Sequence, residues 1–391
     1  MSYKWFLLVL LGLLTAFGPF VTDMYVPSLP SMVGYFHTNL TMVQLGLTTS
    51  MLGLALGQLL FGPLSDKAGR KRPLLAAMVL FTISTVCIIF APNIETFCVL
   101  RFFQGVGGAG GIVISRSVAT DTFDGRELLK MLAIIGAING IAPIAAPVAG
   151  GAIVDSVGWR GIFVVLLFVG IFLTLGSAYM HESLAVERRK KESLIKTFGL
   201  FGTVVKNREF MGYVLQQAAA QAILFGNIAS SSFIVQDHYG YSAMAYSLAF
   251  AVNGVCIGGG AALSARFRKP QNCIKGSCTG MLVLSVAEAA VLMAGASFWV
   301  YEGVLCALLF FMGLTFTAST TLALESEREQ AGTGSAVLGA VGFMCGGLVS
   351  PLVGLGNIMH STGITFVVGA VLSSIFAWVA ITSNRKNKKA N

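Results

Sequence analysis

Residues Gly62–Arg72 read GPLSDKAGRKR, between two long apolar segments, Thr41–Phe61 and Leu74–Ala91. A stretch this short and charge-dense, flanked by chain this apolar, cannot be a soluble linker. It reads as a hairpin at a membrane surface. Gly62 and Gly69 are expected to permit its tight turns. Asp66 can accept from helix-terminus N–H groups or pair with arginines such as Arg116. Arg70 and Arg72 can hold anionic lipid or acidic partners. A merely solvated basic turn would not need the full spacing G-x-L-x-D-x-x-G-R-K-R.

Outward from that turn the chain stays apolar. Of its 391 residues 55% are hydrophobic and only 11% are charged, and the mean hydropathy is +0.79. Water-soluble domains carry about 25% charged residues. A chain so poor in charge cannot cover itself with polar groups, so its solvent is lipid. A membrane span needs about 20 apolar residues. Twelve such stretches are read, near 6–27, 42–62, 73–91, 95–115, 130–152, 160–180, 210–233, 243–264, 276–296, 300–323, 333–355 and 364–382.

Lysine and arginine placement tests that count. With the N-terminus in the cytoplasm, 24 of the 26 basic residues fall on the cytoplasmic side. Arg160 alone lies outside, and Arg101 lies within a span. The positive-inside rule is thus closely obeyed, and both termini are expected to be cytoplasmic. The net charge of +9 reports topology and contact with anionic membrane lipid. It does not indicate nucleic acid, because no basic face with interleaved aromatics exists outside the loops. The first apolar segment lacks a small-residue cleavage site and carries Asp23, so it reads as helix one rather than a signal peptide. Seven cysteines, an odd number mostly within apolar segments, argue against a disulfide framework. Neither a metal site nor a cofactor is expected.

The longest polar interruption, Met180–Arg208, carries ERRKKE and follows six spans. It divides the chain into residues 1–180, a cytoplasmic linker 181–208, and residues 209–391. The halves resemble each other weakly. RFFQGVGGAG from Arg101 parallels LFFMGLTFTA from Leu309, and AAPVAGG (145–151) parallels VSPLVGL (349–355). Such repeats are common in transporters, where a central site forms between halves that rock against each other. Leu309 stands where the first half has Arg101, so the charge is kept on one side only.

Asp23 is the sharpest candidate for chemistry. It lies in PFVTDMYVPSLP with no lysine or arginine nearby in sequence. An acid at a membrane helix centre costs about 2.5–3.5 kcal/mol on insertion scales, so it reads as functional by default. Pro27 denies a hydrogen bond to the Asp23 carbonyl, and Pro19 does the same to Thr15. Helix one should therefore be loosened on both sides of the carboxylate. The alternative is an Asp23 hydrated at the outer interface. Arg101 and Gln104, three residues apart, share a helix face with Gly108. Two intramembrane charges of opposite sign invite pairing, and such a carboxylate can exchange a proton as its surroundings turn wet or dry. The alternative for Arg101 is a fixed structural pair or a tether to backbone carbonyls.

Asn139, Pro143, Pro147 and Gly151 recur every four residues along one face, with Gly136, Gly140 and Gly150 beside them. They suggest a deformable hinge built around Gly140, Pro143, Pro147 and Gly151, against ordinary tolerance of Gly and Pro in membrane helices. Gly105–Gly110 (GVGGAG) matches GxGxxG literally. The dinucleotide fingerprint requires a strand and a βαβ unit around it, and here it reads as helix packing. Glu288 falls mid-span in SVAEAAV and reads as a second proton site, an interhelix hydrogen bond or a boundary effect. Gln216, Gln217, Gln221, Asn227 and Asn253 can line a cavity or form packing hydrogen bonds. Only four histidines exist (His37, His181, His238, His360). No nucleophile–base pair or metal-ligand cluster is visible, so an enzyme is disfavoured.

Together these residues resemble the drug–proton antiporters of the major facilitator superfamily, most nearly their Bcr/CflA-type branch. TDMYVPSLP resembles that branch's first-helix signature, and GPLSDKAGRKR the superfamily's loop between helices two and three. Arg101–Gly105 (RFFQG) is similar to the helix-four motif linked to proton transfer. GIAPIAAPVAGG (140–151) resembles the helix-five antiporter motif, with Ala-Pro where Gly-Pro is usual. The resemblance implies an all-α membrane protein with twelve helices in two pseudo-symmetric six-helix bundles, acting as a monomer in a bacterial inner membrane. It implies proton-driven export of amphipathic drugs such as phenicols, bicyclomycin or sulfonamides by alternating access. The alternative is a proton-coupled transporter of one small metabolite on the same fold. In that reading Asp23 and Arg101 couple protons. A cavity is lined by Asp23, Tyr25, Gln104, Asn139, Gln217, Gln221 and Asn253. Gly62, Asp66, Gly69, Arg70, Arg72 and Arg116 latch one conformation.

Overall fold

With no water in the hydrocarbon core, each backbone N–H and C=O must be satisfied within the chain, and helices do this locally. The computed structural model describes residues 3–189, 194–327 and 331–390, and there the chain is built of helices. α1 (Tyr3–Thr15) and α2 (Phe17–Thr22) are followed by a 3-10 turn at Val26–Ser28 and by α3 (Leu29–Tyr35). The run bends by 45° at the break between α1 and α2. α4 (Leu40–Ala68) begins at Asn39, whose side chain accepts the Met42 N–H at 2.9 Å. α5 (Lys71–Ile89) precedes α6 (Ile94–Thr122), which Asn93 caps in the same way from Thr96.

The hairpin expected at Gly62–Arg72 is shorter than the sequence suggests. α4 runs on through Pro63 to Ala68, and the turn is Gly69–Arg70 alone. Gly62 is therefore a helical residue, not a turn glycine. Its carbonyl accepts the Ser65 hydroxyl at 2.9 Å, one turn further along the same helix.

α7 (Gly125–Tyr179) has 55 residues. At about 1.5 Å per residue that is roughly 80 Å, more than twice a hydrocarbon core of about 30 Å. The chain breaks at Gly158, where φ is 74° and ψ −176°, so α7 is two spans. α8 (Leu194–Lys206), α9 (Arg208–Phe233), α10 (Ala243–Ser264), α11 (Pro270–Ala294), α12 (Phe298–Ser326), α13 (Ala331–Val349) and α14 (Ile358–Ala390) complete the order. Among the described residues ten helices are long and apolar enough to cross a bilayer, and the bent first run makes an eleventh. Division of α7 at Gly158 supplies the twelfth. Large apolar side chains such as Phe90, Phe168, Trp299 and Trp378 are exposed on the outer surfaces, as lipid-facing residues should be.

The chain divides into two compact units, residues 1–197 with 243–247, and residues 198–242 with 248–391. The stretch 181–208 is not a bare linker. Residues 181–189 fold onto the first unit, residues 190–193 lie outside the described residues, and α8 occupies most of the rest.

Each unit contains the same helix crossing. In the first, a Cβ at Gly53 of α4 would overlap the Phe102 carbonyl of α6, and one at Gly105 would overlap the Ser50 carbonyl. In the second, Gly260 of α10 meets the Phe310 carbonyl of α12, and Gly313 meets that of Ile257. Phe102 and Gly105 are the residues that the sequence repeat aligns with Phe310 and Gly313. The weak repeat thus corresponds to a shared packing geometry. The GVGGAG stretch continues it, with Gly107 and Gly110 lying on α5 at Ala77.

Candidate functional site

Helix one is broken where the two prolines predict. Pro27 has no N–H to offer the Asp23 carbonyl, which accepts instead from Val26 at 3.3 Å in a tightened turn. The Asp23 side chain is 6% exposed and accepts the Thr22 hydroxyl at 2.6 Å. Gly150 of α7 packs directly on the Met24 carbonyl, and a Cβ there would overlap it. A second helix therefore braces the chain next to the carboxylate.

The expected pair between Asp23 and Arg101 does not form: no ion pair among the described residues includes Asp23. Arg101 is fully buried and spends its donors elsewhere. Its Nη2 donates to the Val21 carbonyl at 2.8 Å, its Nε to the Gly46 carbonyl at 3.4 Å, and its Nη1 to Gln104 Oε1. The guanidinium also lies 4.2 Å from the Tyr25 ring centroid and 5.6 Å from that of Phe163. In a regular helix the Val21 carbonyl would accept from Tyr25. At this break it meets Arg101, and carbonyl oxygens satisfy the planar donor fork without a second charge.

That arrangement also relocates two residues expected along a cavity. Gln104 is fully buried, with Oε1 bound by Arg101 and Nε2 donating to Thr85 Oγ1 at 2.8 Å. Tyr25 is fully buried under Arg101. Both belong to the Arg101 network. Thr85, near the C-terminal end of α5, had no signal in the sequence beyond being a hydroxyl in an apolar run.

At one end of this unit, Arg70 ties three helices together. Its Nη1 meets Asp66 Oδ1 at 2.6 Å and Ser65 Oγ at 2.8 Å, and its Nε meets Asp121 Oδ2 of α6 at 2.7 Å. The partner of Asp66 is thus Arg70 and not Arg116, which is exposed, as is Arg72. An arginine four residues on, in the turn that follows α4, reaches the carboxylate with less extension than one on α6. Burial opposes the Arg70 charge, but the bonds to Asp121 and Asp66 outweigh it and hold the guanidinium above its ordinary pKa.

Glu182 adds a contact that no motif announced. Its carboxylate accepts the backbone N–H of Arg70 at 2.8 Å, Lys71 at 3.3 Å and Leu184 at 3.1 Å. Arg189 Nη2 lies 3.8 Å away. Glu182 therefore caps the N-terminus of α5 from a segment more than a hundred residues later. Burial works to raise its pKa. The N–H donors of Arg70, Leu184 and Lys71, with the Arg189 charge, prevail and hold it below the usual carboxylate range. Gly69, at φ 90°, leaves no room for a Cβ beside the Glu182 carboxylate.

The remaining expectations separate by residue. The side chain of Asn139 lies outside the described residues. α7 stays helical through Pro143 and Pro147, the space beside Gly140 is open, and Gly151 packs on Ala243 and Ser247. The break in α7 is at Gly158, not in the proline face. The related Pro351 sits in the turn after α13. In the second unit Gln217 accepts the Thr320 hydroxyl at 2.9 Å, and Asn253 accepts the Cys306 thiol at 3.2 Å. Gln221 is half-buried with its carbonyl unpartnered among the described residues. Glu302, at the start of α12 and 9% exposed, is a second buried acid of this unit, one that no motif marks.

Residues 11–351 match the family model of the Major Facilitator Superfamily. The chain belongs to that superfamily. Among its relatives is the uncharacterized MFS-type transporter YdgK of Bacillus subtilis (strain 168), 34% identical over 390 residues, with 96% of this chain and 95% of that protein covered. The bicyclomycin resistance protein homolog of Haemophilus influenzae is 28% identical over 394 residues, covering 95% of each. A solved structure, a bacterial homolog of the human lysosomal transporter Spinster in an inward-facing and unoccupied conformation, superposes with a TM-score of 0.79. It covers 98% of both chains at 16% identity, a likeness of fold. This major facilitator protein is a multi-pass transporter of the bacterial inner membrane, with a small molecule as cargo, and not an enzyme.

Proposed function

We propose that this transporter exports amphipathic drugs in exchange for protons, by alternating access. The observation that carries the reading is Asp23, a buried carboxylate without an ion pair among the described residues, at a proline-made break in helix one and next to the anchored Arg101. An acid so placed can take a proton and release it when its surroundings change, because no fixed cation holds it charged. Arg101 acts on it by shaping the break rather than by pairing. The Haemophilus influenzae relative, named for bicyclomycin resistance, supports a drug as cargo. Gln221 is the expected cavity residue of the second unit whose carbonyl has no hydrogen-bond partner among the described residues. The Arg70–Asp66–Asp121 cluster serves as the latch of one conformation, on the cytoplasmic side that the basic residues define. The protein works as a monomer, surrounded by lipid.

The test is drug uptake into everted vesicles with and without an imposed pH gradient, for wild type and Asp23→Asn at equal membrane levels. Chloramphenicol, bicyclomycin and a sulfonamide serve as probes. Uptake should require the gradient and vanish in the variant. Full gradient-driven transport by Asp23→Asn would sink the mechanism. A response confined to one metabolite in a wider panel would replace the drug as cargo.

A further inference from the structure

The second unit buries a carboxyl that the mechanism above does not use. Glu288 of α11 is fully buried, and neither of its oxygens has a hydrogen-bond partner among the described residues. Ser285, one turn earlier on the same helix face, is equally buried and equally unpartnered. α14 passes close by. A Cβ on Gly363 would sit 3.0 Å from the Ala289 Cα, and one on Gly226 of α9 would sit 3.1 Å from the Thr365 methyl. The three helices therefore meet at one level. Thr362 of α14 and Asn227 of α9 flank those contacts. Thr362 is fully buried and Asn227 is 1% exposed, and the Thr362 hydroxyl and both ends of the Asn227 amide lack partners among the described residues.

The charges around this level are known. Glu302 of α12 and Tyr239, after α9, are titratable neighbours of Glu288. The Tyr239 hydroxyl is committed to the Ala296 carbonyl at 2.9 Å. Beside Glu302 stands Cys306, 3.9 Å from its Oε1, with Cys256 of α10 next to that thiol. His360, at the start of α14, is exposed. No lysine, arginine or histidine among the described residues lies within 4 Å of either carboxylate.

A charge in such a place has nothing to offset its desolvation. Folded proteins also do not leave four helix-borne polar groups unsatisfied in one layer; they fill such sites with water. We propose that Glu288 is a proton-binding carboxyl within a water-filled polar site of the second unit, made with Ser285, Thr362 and Asn227. Its proton comes from that water and returns to it, and Glu302 is the acid across the helix pair that biases the exchange. The site is separate from Asp23 and does not depend on which cargo is carried.

The full-length protein in lipid provides the test, by infrared difference spectroscopy on Asp23→Asn and on Asp23→Asn/Glu288→Gln. At neutral pH the single variant should show the carbonyl stretch of protonated buried carboxyls, and the double variant should lose the component that Glu288 contributes. The same band in both would overturn the proposal. Glutamine keeps the shape and removes only the titration, so Glu288→Gln should melt no lower than wild type. A markedly lower melting point would identify an ionised, paired Glu288 and overturn the proposal as well. Wild type supplies an assay independent of folding in the variants. A hydrophobic carbodiimide, which reacts with protonated carboxyls in apolar surroundings, should label Glu288 by mass spectrometry at pH 7. Absence of that label would count against the site even if drug transport proves correct.

Discussion

The guanidinium of Arg101 lies 4.2 Å from the centroid of the Tyr25 ring and donates to the Val21 carbonyl two residues before Asp23. Arg101 thus holds both sides of the break in helix one without pairing with the carboxylate between them. Lysine cannot reproduce this, because it lacks the planar fork that stacks and bonds at once. Arg101→Lys should leave at least one of the Val21, Gly46 and Gln104 oxygens without its donor. Each orphaned buried acceptor costs about 1–3 kcal/mol. The variant should melt lower in detergent and lose most of its transport. Wild-type stability with wild-type transport would show that the three acceptors find other donors.

Gly69 tests the turn that replaced the expected hairpin. Its backbone, at φ 90° and ψ 168°, lies in a region nearly reserved for glycine, and the Glu182 carboxylate occupies the space a Cβ would need. Strain of this kind costs about 1–3 kcal/mol. Gly69→Ala should lower the melting point and release Glu182 from α5. Gly62→Ala should not, because Gly62 is an ordinary helical residue with its nearest neighbour, Val113, at 3.7 Å.

The Glu182 cap gives a pH dependence of definite sign. Its folded pKa lies below the ordinary value of 4.5, so its contribution is full above the unfolded pKa and fades as pH falls through the lower folded one. Hydrogen exchange at the Arg70 and Lys71 amides, corrected for intrinsic rates, should therefore quicken below about pH 4. Glu182→Gln should exchange faster at neutral pH and show no step in that window. A wild-type profile unchanged by the substitution would remove Glu182 from the cap.

Much of the architecture is legible because lipid imposes helices on any long apolar run, so hydropathy and basic loops are enough to mark the spans. The break around Asp23 is legible for a local reason: Pro19 and Pro27 each delete one identifiable hydrogen bond. What the sequence hides is competition among partners. It shows Asp23 and Arg101 as opposite charges, but not that the broken helix presents Val21's carbonyl to the guanidinium first. It shows Asp66 and Arg116, but not that Arg70 is nearer and that Asp121 joins it. Glu182 caps α5 across 112 residues, and nothing in its neighbours HES signals so distant a role. Glu302 is hidden by its position at a span end, where acids are ordinarily solvated.

Gly150 and Gly140 lie on the same stretch of α7 and would be equivalent if that helix were simply a flexible face. The structure separates them. Gly150 rests on the Met24 carbonyl, where a Cβ would overlap backbone, whereas Gly140 has nothing within 4 Å of that position. Backbone cannot yield as a flexible side chain can, so Gly150→Ala must push α7 away from the break in helix one. Its melting point should fall and transport should fall with it. Gly140→Ala removes a helix-interior glycine from open space and should stabilise the helix by about 0.5–1 kcal/mol. If Gly140 matters to function through backbone freedom, that variant will fold well yet transport slowly. Parallel melting and uptake measurements on the two variants therefore distinguish a packing glycine from a hinge glycine. Equal behaviour of the pair would deny α7 its contact with Met24.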